Sequence, residues 1–275
     1  MTKFHEDESP IYEELEPLIK TLESDPDWNK RFGAASKLFR LGKEKAVNPL
    51  IKALQNDNNK EIKRFSADLL GLLGDSRATW ALIAVLRQAI VEKDLTMVNH
   101  SSDALIKIKG KDFLSILIST INDKQEISDM KIKALELLGR LGDSQSVESL
   151  TAIINNPNTD GDIRAKAIEE LVYTGNLSGL QLILEYLSLS SNRAFQKIVI
   201  HALGKTPFKN KAIAFRIGES VLKIMENEES KKEKKDKEVI DLSAAALTQL
   251  ANNINYDFRK FVDEIISIRK KQKIK

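Results

Sequence analysis

Apolar residues recur along most of the chain at the three- and four-residue intervals of amphipathic helices, and one short pattern returns about every 33 residues. The two clearest copies are residues 69–76, LLGLLGDS, and residues 137–144, LLGRLGDS. In each copy a glycine follows the last apolar residue, and Asp-Ser follows the glycine. Glycine adopts the left-handed conformation that ends many helices, and Asp or Ser caps the start of the next. The pattern predicts a repeating unit made of a helix, a tight turn and a second helix.

Successive units align on one order of positions in the first helix: hydrophobic, basic, small, two leucines and a terminal glycine. The small position lets neighbouring helices approach closely, and the aligned residues there are Ala34, Ser66, Ser101, Ala134, Ala167, Val199 and Ser243. The residues aligned at the terminal position are Gly42, Gly74, Lys109, Gly142, Gly175 and Pro207. A single hairpin cannot bury its apolar faces, so the hairpins must stack. We therefore predict an all-α array of about six to seven helical hairpins.

Breaks in the pattern divide the chain into four parts. Residues 1–26 are predicted as a leader and an N-terminal capping helix, and Asp25 is available to cap the helix that follows. Residues 27–225 carry the repeat array. Residues 226–238 contain no apolar residue and are predicted as a charged loop or a solvated helix extension. Residues 239–275 supply a last repeat or cap and a basic tail.

The units resemble HEAT repeats, and among these the short prokaryotic variety first grouped with phycobilisome bilin lyases. The matching residues are Ile163, Arg164, Ala167 and Leu171, together with the LGD turns at residues 73–75 and 141–143. The resemblance covers residues 27–188 well. It implies a right-handed α-α superhelix in which the first helices lie outside and the second helices line a concave face. It also implies binding of proteins or, in some branches, of nucleic acid.

Composition limits the partner and the compartment. Charged residues make up 30% of the chain while the net charge is only +3, so the sequence lacks the basic excess of a dedicated nucleic-acid binder. There is no cysteine, which excludes disulfides and thiolate chemistry. No apolar stretch approaches the ~20 residues that span a bilayer, and the start of the sequence lacks a secretory pattern. We expect a soluble, cytoplasmic protein with no membrane partner.

The sequence offers little catalytic chemistry. The histidines are His5, His100 and His201, at separations unlike those of metal ligands, so no metal site is expected. HEAT-like di-iron hydroxylases carry repeated His-Glu pairs, and this chain has one such pair, at residues 5–6. Residues 204–206, Gly-Lys-Thr, resemble part of a phosphate-binding loop, but they end a predicted helix where such a loop begins one. We therefore expect no cofactor and no enzymatic activity.

One position of the second helices differs sharply between repeats. Trp80 occupies it in the second unit, whereas the other units have polar residues there, so this position should face away from the core. Arg87, two turns further along, and Lys52, in the preceding unit, project from the same face. The predicted partner-binding ridge consists of Asn48, Lys52, Trp80, Arg87, Ser115, Glu148 and Gln181. The pattern leaves open whether Trp80 is exposed or half-buried against a neighbouring hairpin.

Two functional interpretations follow from this ridge. Its mixed charge and single aromatic residue favour a non-catalytic scaffold or adaptor for an unidentified protein partner, with Trp80 as the anchor. The alternative is nucleic-acid binding, with Trp80 stacking a base and Arg87 holding a phosphate, as in a relative of the HEAT-like alkylpurine DNA glycosylases. Glu148 and Glu185 on the same ridge oppose that alternative. A role as a lyase or chaperone for a tetrapyrrole rests on the family resemblance alone.

Overall fold

The structure of the protein is a computed structural model that describes residues 9–189, 193–232 and 235–272. The regular elements in these residues are all helical, which confirms the predicted all-α repeat fold. The α-helices are α1 Ser9–Ser24, α2 Trp28–Gly42, α3 Val47–Asn56, α4 Lys60–Leu73, α5 Thr79–Glu92, α6 Leu95–Ile108, α7 Lys111–Asn122, α8 Ser128–Leu141, α9 Ser144–Asn155, α10 Gly161–Tyr173, α11 Leu177–Leu189, α12 Arg193–Lys205, α13 Lys211–Glu229, α14 Lys237–Asn253 and α15 Phe258–Gln272. Two 3₁₀ turns, Lys43–Ala46 and Ser76–Ala78, precede α3 and α5.

The helices after α1 form successive pairs, and each pair corresponds to one hairpin of the predicted array. The first helices are the even-numbered ones from α2 to α14, and the second helices are the odd-numbered ones from α3 to α15. The chain divides into two compact units, Met1–Leu137 and Leu138–Lys275, with the boundary inside α8. Residues 1–8 of the predicted leader and residues 273–275 of the predicted basic tail lie outside the described residues.

In the first unit, like helices of neighbouring pairs pack on each other. α4 lies against both α2 and α6, α3 lies against α5, and α1 covers α2 and α3 at the start of the array. The centre of this core has no exposed surface at Leu38, Leu50, Leu70, Leu82 and Leu105. Burying one leucine side chain contributes about 2 kcal/mol. Most of the helix–helix contacts in this unit join different pairs, so stacking of the pairs stabilises the unit more than any single hairpin does.

The second unit repeats this arrangement. α12 lies against α10 and α14, and α11 packs on α13. Fully buried leucines of this core include Leu138, Leu171, Leu203 and Leu247. An aromatic cluster fixes the last pair to α13: the ring of Phe215 lies 4.7 Å from that of Phe261 and 5.6 Å from that of Tyr256, centroid to centroid. Edge-to-face rings at these distances stabilise the fold by more than the burial of their apolar surface alone would.

The predicted turn glycines adopt the left-handed conformation at Gly74 and Gly142, whose φ angles are 69° and 61°. The prediction is wrong for Gly42. Its φ is −86°, it is the last residue of α2, and Lys43 takes the positive φ of 42° instead. A Cβ at Gly42 would lie 3.3 Å from the Cβ of Ala46, so close packing explains this glycine rather than backbone freedom.

Carboxylates cap several helices, and one cap differs from the prediction. Asp143 caps α9 by accepting a hydrogen bond from the N–H of Ser146 at 2.8 Å, as the Asp-Ser pattern predicts. α2 is capped by Asp27, whose carboxylate accepts from a first-turn N–H at 2.8 Å, and not by Asp25. The reason is that the helix starts only at Trp28, so Asp27 is the residue with the extended backbone in the capping position.

The basic residue of the repeat motif ties a first helix to the chain that precedes it. Arg31 donates from Nη1 to the carbonyl oxygen of Asp25 at 2.8 Å. Lys63 and Arg164 make the same kind of contact, to carbonyl oxygens at the ends of α3 and α9, at 2.9 Å each. The last carbonyl groups of a helix have no partner within it, so these basic side chains complete the preceding helix ends. The basic residue at this position of the motif therefore has a structural role.

The charged segment 226–238 is partly helical, because its first four residues belong to α13 and its last two to α14. Glu228 is only 1% exposed. Its carboxylate pairs with Arg193 and Lys231 and accepts from the N–H of Asp236 at 3.2 Å. Burial raises the pKa of Glu228, but these partners lower it by more than burial raises it. The pKa of Glu228 therefore lies below its ordinary value. A segment without apolar residues thus contains a buried carboxylate whose charge is compensated by ion pairs.

The small position of the motif supports a stability prediction. Ser101 is fully buried, and its hydroxyl has no hydrogen-bond partner among the described residues. Ala34 and Ala134 occupy the equivalent positions of other units. Ser101→Ala should raise the free energy of unfolding by about 1 kcal/mol, because it removes a buried unpaired hydroxyl and improves helix propensity. Urea denaturation measures the change. The half-buried Ser36→Ala is the control and should gain no more than about 0.5 kcal/mol, and a loss of stability in Ser101→Ala would contradict the prediction.

Candidate functional site

The predicted ridge residues are exposed at equivalent positions of the second helices. In the first unit, Asn48 lies in the first turn of α3, Trp80 in the first turn of α5, and Ser115 in α7. In the second unit, Glu148 of α9 and Gln181 of α11 are also exposed. Within each unit, these side chains lie on the side of the second helices that faces away from the core.

The sequence of α5 explains why Trp80 points to solvent. Leu82 and Leu86 are fully buried on the core side of this helix. Trp80, Ala84 and Gln88 follow at four-residue intervals on the other side, and all three are exposed. Trp80 is 67% exposed, so most of the indole surface is open to a ligand and the half-buried alternative does not apply.

The two cations of the predicted ridge are paired within the chain. Nζ of Lys52 lies 2.9 Å from Oε1 of Glu23 in α1. Nη2 of Arg87 lies 2.5 Å from Oε2 of Glu126, between α7 and α8, and Nε lies 3.2 Å from the same oxygen. The Glu126 side chain is only 7% exposed, whereas that of Arg87 is 47% exposed. Each cation therefore has a carboxylate beside it before any ligand arrives, and the Lys52–Glu23 pair is the more exposed of the two.

This compensation bears on the nucleic-acid alternative. Affinity for DNA or RNA comes mainly from cations that replace the counterions of the phosphates. Arg87, the residue expected to hold a phosphate, would have to leave Glu126, and Lys52 would have to leave Glu23. The surface around Trp80 thus has an exposed aromatic ring and little net positive charge.

A groove of about 700 Å³ opens beside the same face of α5. It is formed by the end of α3, the start of α4, the second half of α5 and the start of α6. Its apolar lining comes from Ala84, Val85, Ala89 and Met97, and its side-chain amides are Gln55, Asn56, Asn58 and Gln88. Ala84 and Gln88 also belong to the exposed side of α5 that carries Trp80. We call this feature the amide groove.

Asp94 fixes the charged end of the amide groove. It caps α6 by accepting from the N–H of Met97 at 3.0 Å, and Nζ of Lys60 lies 3.0 Å from its other oxygen. Arg64 approaches the same carboxylate at 3.4 Å. The hydrogen bond from Met97, followed by that from Lys60, lowers the pKa of Asp94 to about 2. Asp94 is therefore ionised at neutral pH and shares its single charge between Lys60 and Arg64, and Arg64 also pairs with Glu61 at 2.6 Å.

The other candidates for chemistry have structural roles. Gly204 lies at the end of α12 against Ala246, and the hydroxyl of Thr206 donates to the carbonyl oxygen of Ala202 at 2.9 Å. These contacts are those of a helix C-terminus. In the described part of the chain, His, Asp and Glu side chains form no group of three that could hold a metal ion.

His100 links two first helices. Its Nδ1 lies 2.7 Å from Oδ1 of Asp68, so the pair joins α6 to α4. Across residues 9–189, 193–232 and 235–272, none of the helices has both the length and the apolar composition needed to cross a lipid bilayer.

Comparison with known proteins supports the repeat class. Residues 15–98 match the model of a family described as HEAT repeats, which confirms the HEAT-repeat resemblance over that segment. A comparison with curated proteins gives no match. The segment 15–98 runs from α1 into α6, and so it includes Trp80 and the amide groove.

Two solved structures are similar to the chain at low identity. One is the complex of CpcE and CpcF of phycocyanin lyase from Nostoc sp. PCC7120, with 18% identity, a TM-score of 0.38, and coverage of 91% of this chain and 94% of that one. The other is human deoxyhypusine hydroxylase in complex with glycerol, with 17% identity, a TM-score of 0.40, and coverage of 95% and 98%. At these values neither protein defines the function of this chain.

The alignment of repeats within the sequence predicts the exposed position of Trp80 but not the residues that surround it. The alignment of second helices pointed to Trp80 because the equivalent residues are polar. It did not reveal Glu126 as the partner of Arg87, since the two are 39 residues apart and their contact depends on the path of the α7–α8 connection. The amide groove gives no signal in the repeat alignment, although its four amides lie within 34 residues of sequence.

Proposed function

We propose that the chain is a non-catalytic scaffold or adaptor that binds a protein partner on the exposed side of α3, α5 and α7, with Trp80 as the anchor. The observation that carries the proposal is the 67% exposure of Trp80 on a helix whose apolar residues are otherwise mostly buried. Tryptophan is the kind of side chain most enriched among the hot spots of protein interfaces. The equivalent positions Glu148 and Gln181 give the second unit a polar surface of the same origin.

The charges near Trp80 favour a protein over a polyanion. Lys52 and Arg87 already pair with Glu23 and Glu126, so the surface offers an aromatic centre surrounded by polar, compensated groups. Protein interfaces commonly have this composition, with an aromatic hot spot inside a polar rim. HEAT repeats in the segment 15–98 supply the stacked helices on which such a surface is displayed.

Trp80→Ala should abolish capture of the partner without harming the fold. An aromatic hot spot contributes at least about 2 kcal/mol, which corresponds to a loss of affinity of about 30-fold. Because Trp80 is mostly exposed, the free energy of unfolding should change by less than about 1 kcal/mol. The measurement is a pull-down from native extract with immobilised wild type and variant, followed by calorimetric titration with the protein that only the wild type retains.

Trp28→Ala is the matched control. Trp28 is 42% exposed at the start of α2, which is a first helix, and its removal should leave capture intact. An equal loss of capture in both variants would show that exposed tryptophans bind the captured protein non-specifically. A stability loss well above about 1 kcal/mol in Trp80→Ala would show that the residue is structural and would remove the anchor. Binding of duplex or single-stranded DNA that weakens steeply with salt, measured by fluorescence anisotropy, would favour the nucleic-acid alternative.

A further inference from the structure

We infer that the amide groove binds an uncharged, extended peptide segment of the partner by pairing side-chain amides with the peptide's main chain. The inference rests on the proposed function, since it names the kind of partner segment that lies beside Trp80. The groove and Trp80 share the exposed side of α5 within the first unit, so one ligand can contact both.

The amides of the groove have hydrogen-bonding groups to spare. Among the described residues, the side chains of Gln55 and Asn56 make no hydrogen bond, and both are exposed. Asn58 uses only its oxygen, which accepts from Arg31 at 3.0 Å, and Gln88 uses only its nitrogen, which donates to Glu92 at 2.6 Å. A carboxamide offers a donor and an acceptor, as a peptide group does, so these side chains match a peptide main chain.

The lining of the groove balances three basic side chains against three acidic ones: Lys60, Lys63 and Arg64 against Asp57, Glu92 and Asp94. Lys60 and Arg64 lie against Asp94, and Lys63 donates to the carbonyl oxygen at Gln55. Asp57 pairs with Arg31, whose Nε lies 2.8 Å from its Oδ2. A ligand with a charge of either sign would therefore meet like charges in the groove, whereas an uncharged one would not. The ligand that fits is therefore a segment without acidic or basic side chains in the groove.

The spacing along α5 sets the length of the segment. Trp80 and Gln88 are eight residues apart, which is about 12 Å along a helix axis. An extended peptide advances about 3.3 Å per residue, so about four residues cover this distance. One apolar side chain of the segment would rest on Trp80, and the main chain two to four residues away would meet Gln55, Asn56 and Gln88.

The test uses peptides selected from a phage-displayed library of random dodecapeptides on the full-length protein. The chain has two tryptophans, so in a Trp28→Phe background Trp80 alone reports binding through its fluorescence. Selected peptides should be poor in charged residues, and their Kd should change by less than about twofold between about 50 mM and about 500 mM NaCl, because no free charge is recognised. The double variant Gln55→Ala/Gln88→Ala should weaken binding at least about tenfold, as expected when two or more hydrogen bonds are lost.

Gln125→Ala is the control, because Gln125 is an exposed amide of the same unit outside the groove. N-methylation of the peptide's main-chain nitrogens, one at a time, should weaken binding about fivefold or more at the positions that face the groove. Failure to select any peptide, charge-rich peptides, or unchanged affinity in the double variant would each overturn the inference. Loss of binding in Trp80→Ala together with unchanged affinity in the double variant would refute the groove while leaving the anchor. Binding that is weakened in the double variant but unchanged in Trp80→Ala would refute Trp80 as the anchor while leaving the amide groove as the binding site.

Discussion

Replacing Arg31 by methionine should lower the free energy of unfolding by about 3 kcal/mol, the usual loss when one partner of a buried ion pair is removed. Arg31 is 7% exposed, and the Asp57 side chain is 5% exposed. Nε and Nη2 donate to the two carboxylate oxygens at 2.8 Å each, and the hydrogen bond to Asp57 holds the pKa of Arg31 above its ordinary value despite burial. Methionine keeps much of the apolar stem but leaves Asp57 charged and unpaired. Urea denaturation of both variant and wild type gives the difference.

Two further variants separate the buried charge from the other contacts of Arg31. Arg40→Met, at an exposed position of the same helix, should change stability by less than about 0.5 kcal/mol. Adding Asp57→Asn to Arg31→Met should recover at least about 1 kcal/mol, because an amide carries no charge and can still accept from the N–H of Asn59. If the double variant is no more stable than Arg31→Met alone, the loss comes from packing and from the carbonyl contact to Asp25 instead.

The repeat pattern predicted the helices because it reflects local constraints. Apolar spacing decides which side of a helix is buried, and glycine or a capping carboxylate decides where the helix ends. These rules hold at Gly74 and Asp143. They fail at Gly42, whose backbone is not left-handed and where an added Cβ would be in tight contact with Ala46. They also could not show that Glu228 is buried, because its partner Arg193 lies in the preceding first helix.

The candidate site was predictable in position and not in chemistry. Trp80 stood out because it departs from the residues aligned with it, and its exposure follows from the helical period of α5. Whether the charge of Arg87 is paired depends on Glu126, which lies outside the pair of helices that contains Arg87. An ion pair of this kind bears on the proposed partner, since Arg87 would have to leave Glu126 to contact a phosphate. The repeat alignment therefore could not show that Arg87 is already paired.

Gly71→Ala should destabilise the protein by about 2 kcal/mol and Gly71→Val by about 3 kcal/mol, because the added atoms meet a neighbouring helix. A Cβ at Gly71 would lie 2.7 Å from the Cα of Ala104 and 3.0 Å from its Cβ, so α4 and α6 touch at this point through their backbones. The same register in two other first helices is Gly139 and Gly204, and a Cβ at Gly204 would lie 3.0 Å from the Cα of Ala246. The first glycine of LLGLLGDS thus sets the distance between repeats, while the second ends the helix.

Gly33→Ala is the matched control, since Gly33 is also inside a first helix but has no atom within 4 Å of a Cβ placed there. Alanine is the better helix former, so this variant should gain about 0.5–1 kcal/mol. The two Gly→Ala changes are chemically identical, and their opposite signs in urea denaturation would isolate the contact between α4 and α6 from helix propensity. A gain in both variants would mean that α4 and α6 separate at little cost, and that the glycine at this register does not determine how closely the repeats stack.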